Sequence, residues 1–351
     1  MATIRIGIAG IGFMGMIHYL AAQRAEGVTV AALQSRSAKK RAGDWTDIQG
    51  NFGPRGGMMD LSGVRVHERF EDLLADETVD LVDLCVPNPE HSCLAIQALE
   101  AGKDVLVEKP IALRVDDADA MIAAARRFGR LVMVAHILPF FPEFEFAYQA
   151  VASGEHGRLL AAHFTRVISR PDWGNAGDFV SGGGPAIDLH VHDTHFVDLV
   201  CGPPRAVRSR GVVESGVVIH LDTHYHYPDG GPIVSAVSGA LATAGRPFSH
   251  GFELYLERAT LSFRFDNLAD EPRLSPLTII HANGQIERPQ LGSGDPIDAF
   301  ARELEEAGRA VAGRVESRML SASRARRALR SCLAEVESVL TGLAVNLSDS
   351  E

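Results

Sequence analysis

The run Gly10-Ile11-Gly12-Phe13-Met14-Gly15 constrains the fold of this chain more than any other feature of it. It follows a short apolar run, Ile4–Ala9, and opens a helix-forming stretch from Phe13 to Ala25 that reaches Gly27. In a strand–turn–helix setting, Gly10 permits the tight turn, Gly12 lets backbone approach a pyrophosphate, and Gly15 lets the helix pack closely on the strand. The helix N-terminus then offers unpaired N–H groups and the positive end of its dipole to phosphates. Three glycines at this spacing also arise by chance in a chain with 34 glycines, so the context carries the argument.

That context continues. Val28–Leu33, Val64–Val66, Leu81–Val86, Val105–Val107 and Leu131–Ala135 read as further strands, and helical patterns over Glu90–Ala101 and Val115–Phe128 end at Gly102 and Gly129. The alternation predicts a doubly wound parallel sheet covered on both faces, a Rossmann dinucleotide-binding domain over residues 1–135. Gly43–Gly63, rich in glycine with Pro54, interrupts the rhythm and reads as a long loop, either functional or a tolerated surface insertion.

The end of the second strand discriminates between cofactors, because an acid there would bind the ribose hydroxyls of NAD. The sequence instead reads Gln34-Ser35-Arg36-Ser37, followed by Lys39, Lys40 and Arg41. The hydroxyl of Ser35 and the guanidinium of Arg36 suit a 2′-phosphate, which favours NADP over NAD; the duller reading leaves the basic residues to solvent.

The formal charge of −11 excludes the basic stripe that a phosphate backbone needs, so no nucleic-acid partner is expected. Arg324, Arg326, Arg327 and Arg330 cluster on one late segment, which reads as a solvated helix face. Cys85, Cys93, Cys201 and Cys332 lie far apart without a C-x-x-C pair, which suits a reducing compartment and writes no zinc knuckle. Neither a signal-peptide pattern nor an apolar run of about 20 residues is legible, so a cytoplasmic location and no membrane partner are expected.

From about Gly157 the pattern changes to adjacent strands: Arg158–Val167, Ala206–Val213, Val217–Tyr227, Ile233–Ala242, Phe252–Leu256, Thr260–Phe265 and Leu277–His281. These predict a C-terminal α+β domain, residues 136–351, with a large, mostly antiparallel open sheet that binds substrate and mediates oligomerisation. Pro296 to Val311 and Ser323 to Leu343 are amphipathic helices expected to pack on the two domains. Apolar residues on both sides of strands, such as Val217, Val218 and Ile219, suggest sheet-to-sheet association into a homodimer or homotetramer.

Several of these residues together form a recognisable order: Gly10–Gly15, Val86-Pro87-Asn88 with His91, Glu108-Lys109-Pro110, Gly182-Gly183-Gly184, Asp188-x-x-x-His192-Asp193, and Glu337-Ser338 with Gly342. The chain thereby resembles the Gfo/Idh/MocA family of oxidoreductases, named for glucose-fructose oxidoreductase, inositol dehydrogenase and a rhizopine-catabolism protein, over nearly its whole length. The resemblance implies an NAD(P)-dependent enzyme that transfers a hydride between nicotinamide and a hydroxyl or keto carbon of a sugar, cyclitol or glycoside. It assigns His192 as general base, Asp188 as its support, and Lys109 as hydrogen-bond partner of the reacting oxygen. Such a reaction needs a hydride acceptor, a proton acceptor and charge control. Asp188 and His192, at i and i+4, would share one face of a helix.

Phe13 and Met14 within the glycine turn, and Pro87, Asn88, His91, Glu108 and Lys109 after parallel strands, complete the expected cofactor site. His136 departs from the family's frequent asparagine and is read as a substrate or nicotinamide contact, with interdomain packing as the rival. Arg170, Trp173 and Asp193 are the other substrate-binding candidates, and no resident metal is expected. Three rivals remain open. Asp188-Leu189-His190-Val191-His192 also looks like the D-x-H-x-H strand end of metal-dependent amidohydrolases. A tightly held nucleotide could serve a redox-neutral elimination or epimerisation, and a non-catalytic nucleotide sensor would keep the fold alone.

Overall fold

A computed structural model describes residues 3–50, 52–170, 182–269 and 271–347 of the chain. By compactness it divides into two units, the first formed by Met1–Phe140 and Ser293–Arg326, the second by Phe141–Gly292 and Arg327–Glu351. The first unit therefore takes back a segment from late in the chain.

Six strands build the first unit: β1 (Ile4–Ala9), β2 (Val28–Gln34), β3 (Arg65–His67), β4 (Leu81–Leu84), β5 (Asp104–Glu108) and β6 (Val132–Ala135). They pair in parallel in the order β3-β2-β1-β4-β5-β6, the doubly wound arrangement that the alternating pattern predicts. Every residue of β4 and β5 is buried, which explains why these strands are mostly apolar without alternation, save for Asp83, Asp104 and Glu108. The helices are α1 (Phe13–Ala22), α2 (Ala38–Arg41), α3 (Phe70–Ala75), α4 (His91–Glu100) and α5 (Val115–Phe128). Helix α5 carries Asp116 and Asp117 in its first turn and Arg126 and Arg127 in its last, each matching the dipole end it faces, and it stops at left-handed Gly129.

The Gly43–Gly63 segment is not a loose excursion. Trp45 is fully buried, its ring edge-on to Tyr19 and its indole N–H donating to the Lys40 carbonyl. Phe52 lies edge-on to Phe13 and parallel to Phe300, with centroids 4.9 and 5.6 Å away. Aromatic anchors thus fasten a glycine-rich segment that has almost no regular structure of its own.

In the second unit β7 (Leu159–Ser169), β8 (Ala206–Glu214), β9 (Val217–His226), β10 (Ile233–Leu241), β11 (Phe248–Leu256), β12 (Ala259–Asn267), β13 (Pro272–His281), β14 (Ile286–Glu287) and β15 (Val345–Asn346) form one sheet. Its order is β14-β13-β12-β11-β7-β10-β9-β8-β15, and among these pairs only β7 with β10 runs parallel. Helices α6 (Pro142–Ser153) and α7 (Val191–Cys201) follow the strand-poor stretches. Alternate residues of β7, from Ala162 to Ile168, are buried while their neighbours are half-exposed, so one face of the sheet is covered and the other opens outward.

Helix α8 (Pro296–Gly313) belongs to the first unit, and α9 (Ala322–Thr341) spans the division at Arg326. Asp295 caps α8 by accepting the Ile297 N–H, with Pro296 in the first turn. Its buried stripe, Ile297, Phe300, Leu304, Ala307 and Val311, has helical spacing and packs against α1.

Candidate active site

The glycine turn has the geometry its sequence predicts. Gly10 adopts φ +91°, and a Cβ there would sit 2.5 Å from the Cys85 carbonyl oxygen. A Cβ on Gly15 would collide with the carbonyl oxygen of Gly10, whereas one on Gly12 would meet nothing within 4 Å. The turn is therefore closed on its protein side and open on its outer side. Helix α1 starts at Gly12 with no side-chain cap and no acidic residue in its first turn. Its leading N–H groups and positive dipole end are thus left for an anion, which fits a dinucleotide pyrophosphate. Phe13 and Met14, both half-buried, flank these amides.

Beside the turn, the end of β2 carries no carboxylate of its own. The Gln34 amide donates to the Glu68 carbonyl, and the buried Ser35 hydroxyl accepts the Ser37 N–H. Arg41 donates to the carbonyls of Ser35 and Arg36 and pairs with Glu68, bracing this corner. The Arg36 side chain is 83% exposed, 3.8 Å from Glu90, and Lys40 donates to the carbonyl of Ile11 inside the glycine run. The corner is basic where an NAD-type acid would stand.

Pro87, Asn88, Lys109 and His136 follow β4, β5 and β6, on the carboxyl-end side of the parallel sheet where such folds hold ligands. Pro87 is exposed, and Asn88 and Lys109 are half-buried. The Lys109–Pro110 peptide is cis. His91 is buried, Nδ1 2.8 Å from the Pro110 carbonyl oxygen and Nε2 3.0 Å from that of Val86, so one ring ties together the segments after β4 and β5. Glu108 turns inward, and one of its oxygens accepts the Lys109 N–H at 3.0 Å. His136 is almost completely buried; burial first, then the charges of Lys109 and Arg324, push it down to about 3, so its ring is neutral at physiological pH.

In the second unit Asp188 and His192 do not share one α-helix. Asp188 lies in a π-helical turn, Pro185–Leu189, whose His190 N–H donates to Pro185; α7 starts only after His190. The expected i, i+4 helix is interrupted by a wider turn, which changes the angle between these two side chains. Asp188 and His192 are half-buried, while His190, Asp193 and His195 are buried, so of the three clustered histidines His192 is the one that reaches the surface of its unit.

His190 is fully engaged: Nδ1 lies 2.6 Å from the Ser238 hydroxyl, and Nε2 lies 2.9 Å from Glu335 and 3.2 Å from the Tyr225 hydroxyl. Burial opposes charge on this ring, but the Glu335 carboxylate outweighs it and raises its pKa. A histidine committed on both nitrogens does not supply the paired ligands of a D-x-H-x-H metal strand. Asp193 accepts from Arg166 Nε at 2.7 Å and a terminal guanidinium nitrogen at 3.1 Å, both residues buried. Arg170 forms a bidentate pair with Glu214 near the surface. Trp173 lies outside the described residues.

Sequence reasoning missed a buried cluster under the glycine turn. His18 of α1, Asp83 of β4, Glu108 of β5 and Glu303 of α8 are all buried and converge on one imidazole. The signal was legible, because Asp83 interrupts an apolar strand and Glu303 falls on the apolar stripe of α8.

Residues 4–136 match the family profile described as an oxidoreductase family with an NAD-binding Rossmann fold, and residues 144–262 match the GFO/IDH/MocA C-terminal domain. A 1,5-anhydro-D-fructose reductase from Ensifer adhaerens is 26% identical over 318 residues, 88% of each chain. A trans-1,2-dihydrobenzene-1,2-diol dehydrogenase from Bos taurus is 29% identical over 51% of this chain, a match that spans about half of its own length, 55%. An aldose-aldose oxidoreductase from Caulobacter crescentus superimposes with a TM-score of 0.80 over 98% of this chain and 99% of its own, at 19% identity, a likeness of fold. With both domain profiles matched in order across most of its length, the chain belongs to the Gfo/Idh/MocA family of oxidoreductases, with an NAD-binding Rossmann domain.

Proposed function

We propose that this protein is a dehydrogenase or reductase that exchanges a hydride between a nicotinamide nucleotide and a ring carbon bearing a hydroxyl or keto group, on a sugar, cyclitol or glycoside. The observation that carries this reading is the uncapped start of α1 behind a glycine turn that is closed inward and open outward. The relatives support the substrate class, since one is named for an anhydro-sugar and one for a ring diol.

The nucleotide, when bound, supplies the hydride acceptor or donor. The chain supplies the rest. His192, the accessible histidine of its cluster, takes the hydroxyl proton, and Asp188 supports the charge that forms on it. Lys109, placed after β5, donates a hydrogen bond to the reacting oxygen and stabilises developing negative charge there. His136, held neutral, serves as an uncharged polar contact for substrate or nicotinamide, and Arg170, Trp173 and Asp193 belong to the substrate side. Ser35 and Arg36 favour NADP by accepting a 2′-phosphate in a corner without an acid. The second unit binds substrate and joins copies of the chain through its open sheet face. Four thiols without a disulfide partner support a cytoplasmic location.

The decisive test is a fluorescence titration of the purified protein with NADPH and NADH, followed by a panel of sugars, cyclitols and ring diols. Tighter binding of NADPH and turnover on a ring alcohol are expected. Replacing Lys109 by Ala should lower kcat by about a thousandfold, far beyond any accompanying loss of nucleotide affinity. Absence of binding by either nucleotide refutes the reading, and unchanged turnover of K109A refutes the role of the lysine.

A further inference from the structure

Beneath the glycine turn, a single buried ring stands among side chains from three other elements. His18 Nδ1 lies 2.8 Å from Asp83 Oδ2, and Nε2 lies 3.2 Å from Glu108 Oε1 and 3.9 Å from Glu303 Oε2. The Cys85 sulfur is 3.6 Å from Nδ1, and the Phe300 ring lies 5.8 Å away centroid to centroid. Glu108 is the link outward, because its second oxygen, Oε2, accepts the N–H of Lys109. One carboxylate thus lies within ion-pair distance of an imidazole on its inner side and on its outer side holds the backbone of the residue assigned to the reacting oxygen.

We propose that His18 is a positioning residue for the Lys109 turn: Asp83 orients its ring, the ring clamps Glu108, and Glu108 fixes the Lys109 amide. The inference rests on the assignment of Lys109 made above and gives it a mechanical origin. Nδ1 hydrogen-bonds Asp83, whereas Nε2 faces Glu108 Oε1 at 3.2 Å as a charge contact without a hydrogen bond, so a protonated ring attracts both carboxylates. Burial opposes that charge, but the Asp83 carboxylate beside the ring outweighs it, and the His18 pKa lies well above the ordinary value. Glu303 goes the other way, since burial raises its carboxyl well above the usual range despite His18, so it stays protonated. Asp83, Cys85, Glu108 and Glu303 are the titratable groups that face the ring from β4, from the residue after it, from β5 and from α8. A cation balanced by oriented carboxylates is the state that costs least in such a place.

Two measurements on the full-length protein need no substrate. Imidazole-carbon NMR, with the His18 signal assigned by its loss in H18Q, should show a ring that stays protonated well above the ordinary histidine range. Hydrogen exchange should show the Lys109 amide opening about tenfold faster in H18Q than in wild type, with the β11 amides unchanged. Should H18Q fail to fold, E108Q removes the same clamp, and the wild-type histidine signals are assigned through it. Once a substrate is in hand, H18Q should lower kcat by about tenfold or more with KM and nucleotide Kd within about threefold, a split that general loss of structure does not give. A ring that titrates within or below the ordinary histidine range, or a Lys109 amide protected equally in variant and wild type, overturns the proposal. Failure of nucleotide binding in wild type sinks the proposed function alone, because the NMR and exchange readouts still report the clamp.

Discussion

Gly15 is where a single residue most directly couples fold to ligand. Its missing side chain is required because a Cβ would strike the Gly10 carbonyl, a backbone atom that cannot swing aside. Gly15→Ala should therefore cost about 1–3 kcal/mol in urea unfolding and weaken nucleotide binding by about tenfold or more. Binding that survives unchanged in a calorimetric titration would mean the turn relaxes without consequence. The same scale shows what the sequence withholds. Spacing within its strand–turn–helix context places Gly10, Gly12 and Gly15, since the motif is local and each glycine's role follows from backbone geometry. It does not place Asp83, Glu108 and Glu303 around His18, because those residues meet only through tertiary packing across more than two hundred positions. An acid inside an apolar pattern announces a partner without naming it.

At the level of elements, the strands of the first unit and the long helices were legible to within a few residues, with Ile4–Ala9 and Val115–Phe128 matched at both ends, whereas β11 and β13 start earlier than read and β14 and β15 were not read. Periodicity fails where several short pieces succeed one another. The helix expected to carry both Asp188 and His192 is a π-turn followed by α7, and α3 and α6 were not read at all. The Gly43–Gly63 segment is the other lesson, since its glycines speak of a loop while its order comes from Trp45 and Phe52. Trp45→Ala should destabilise the protein by about 3–5 kcal/mol, because it empties a fully buried indole site. A thermal midpoint equal to that of wild type would show that the segment is dispensable packing.

For the whole molecule, the open sheet face is the surface on which a second copy would join. Residue pairing aligns Ile233, Ala161, Tyr255, Thr260, Ile280 and Ile286 in one row across six strands, and Ile233 is 67% and Ile286 54% exposed. Such a row beside polar neighbours suits a second copy of the same face. The double variant Tyr255→Arg with Ile280→Arg should halve the mass measured by light scattering while sparing the far-ultraviolet circular dichroism spectrum; an unchanged mass would move the interface elsewhere. The two-unit arrangement also bears on how the protein comes into being. Because Ser293–Arg326 belongs to the first unit, the ribosome delivers the start of that unit long before its finish. His18 leaves the exit tunnel without Glu303 or Phe300, and the nucleotide-binding half must wait, its α1 surface uncovered, while β7 to β14 of the second unit are synthesised. For a nascent chain, the domain that is first in the gene is completed nearly last, and that interval is when nucleotide or chaperone has the most to protect.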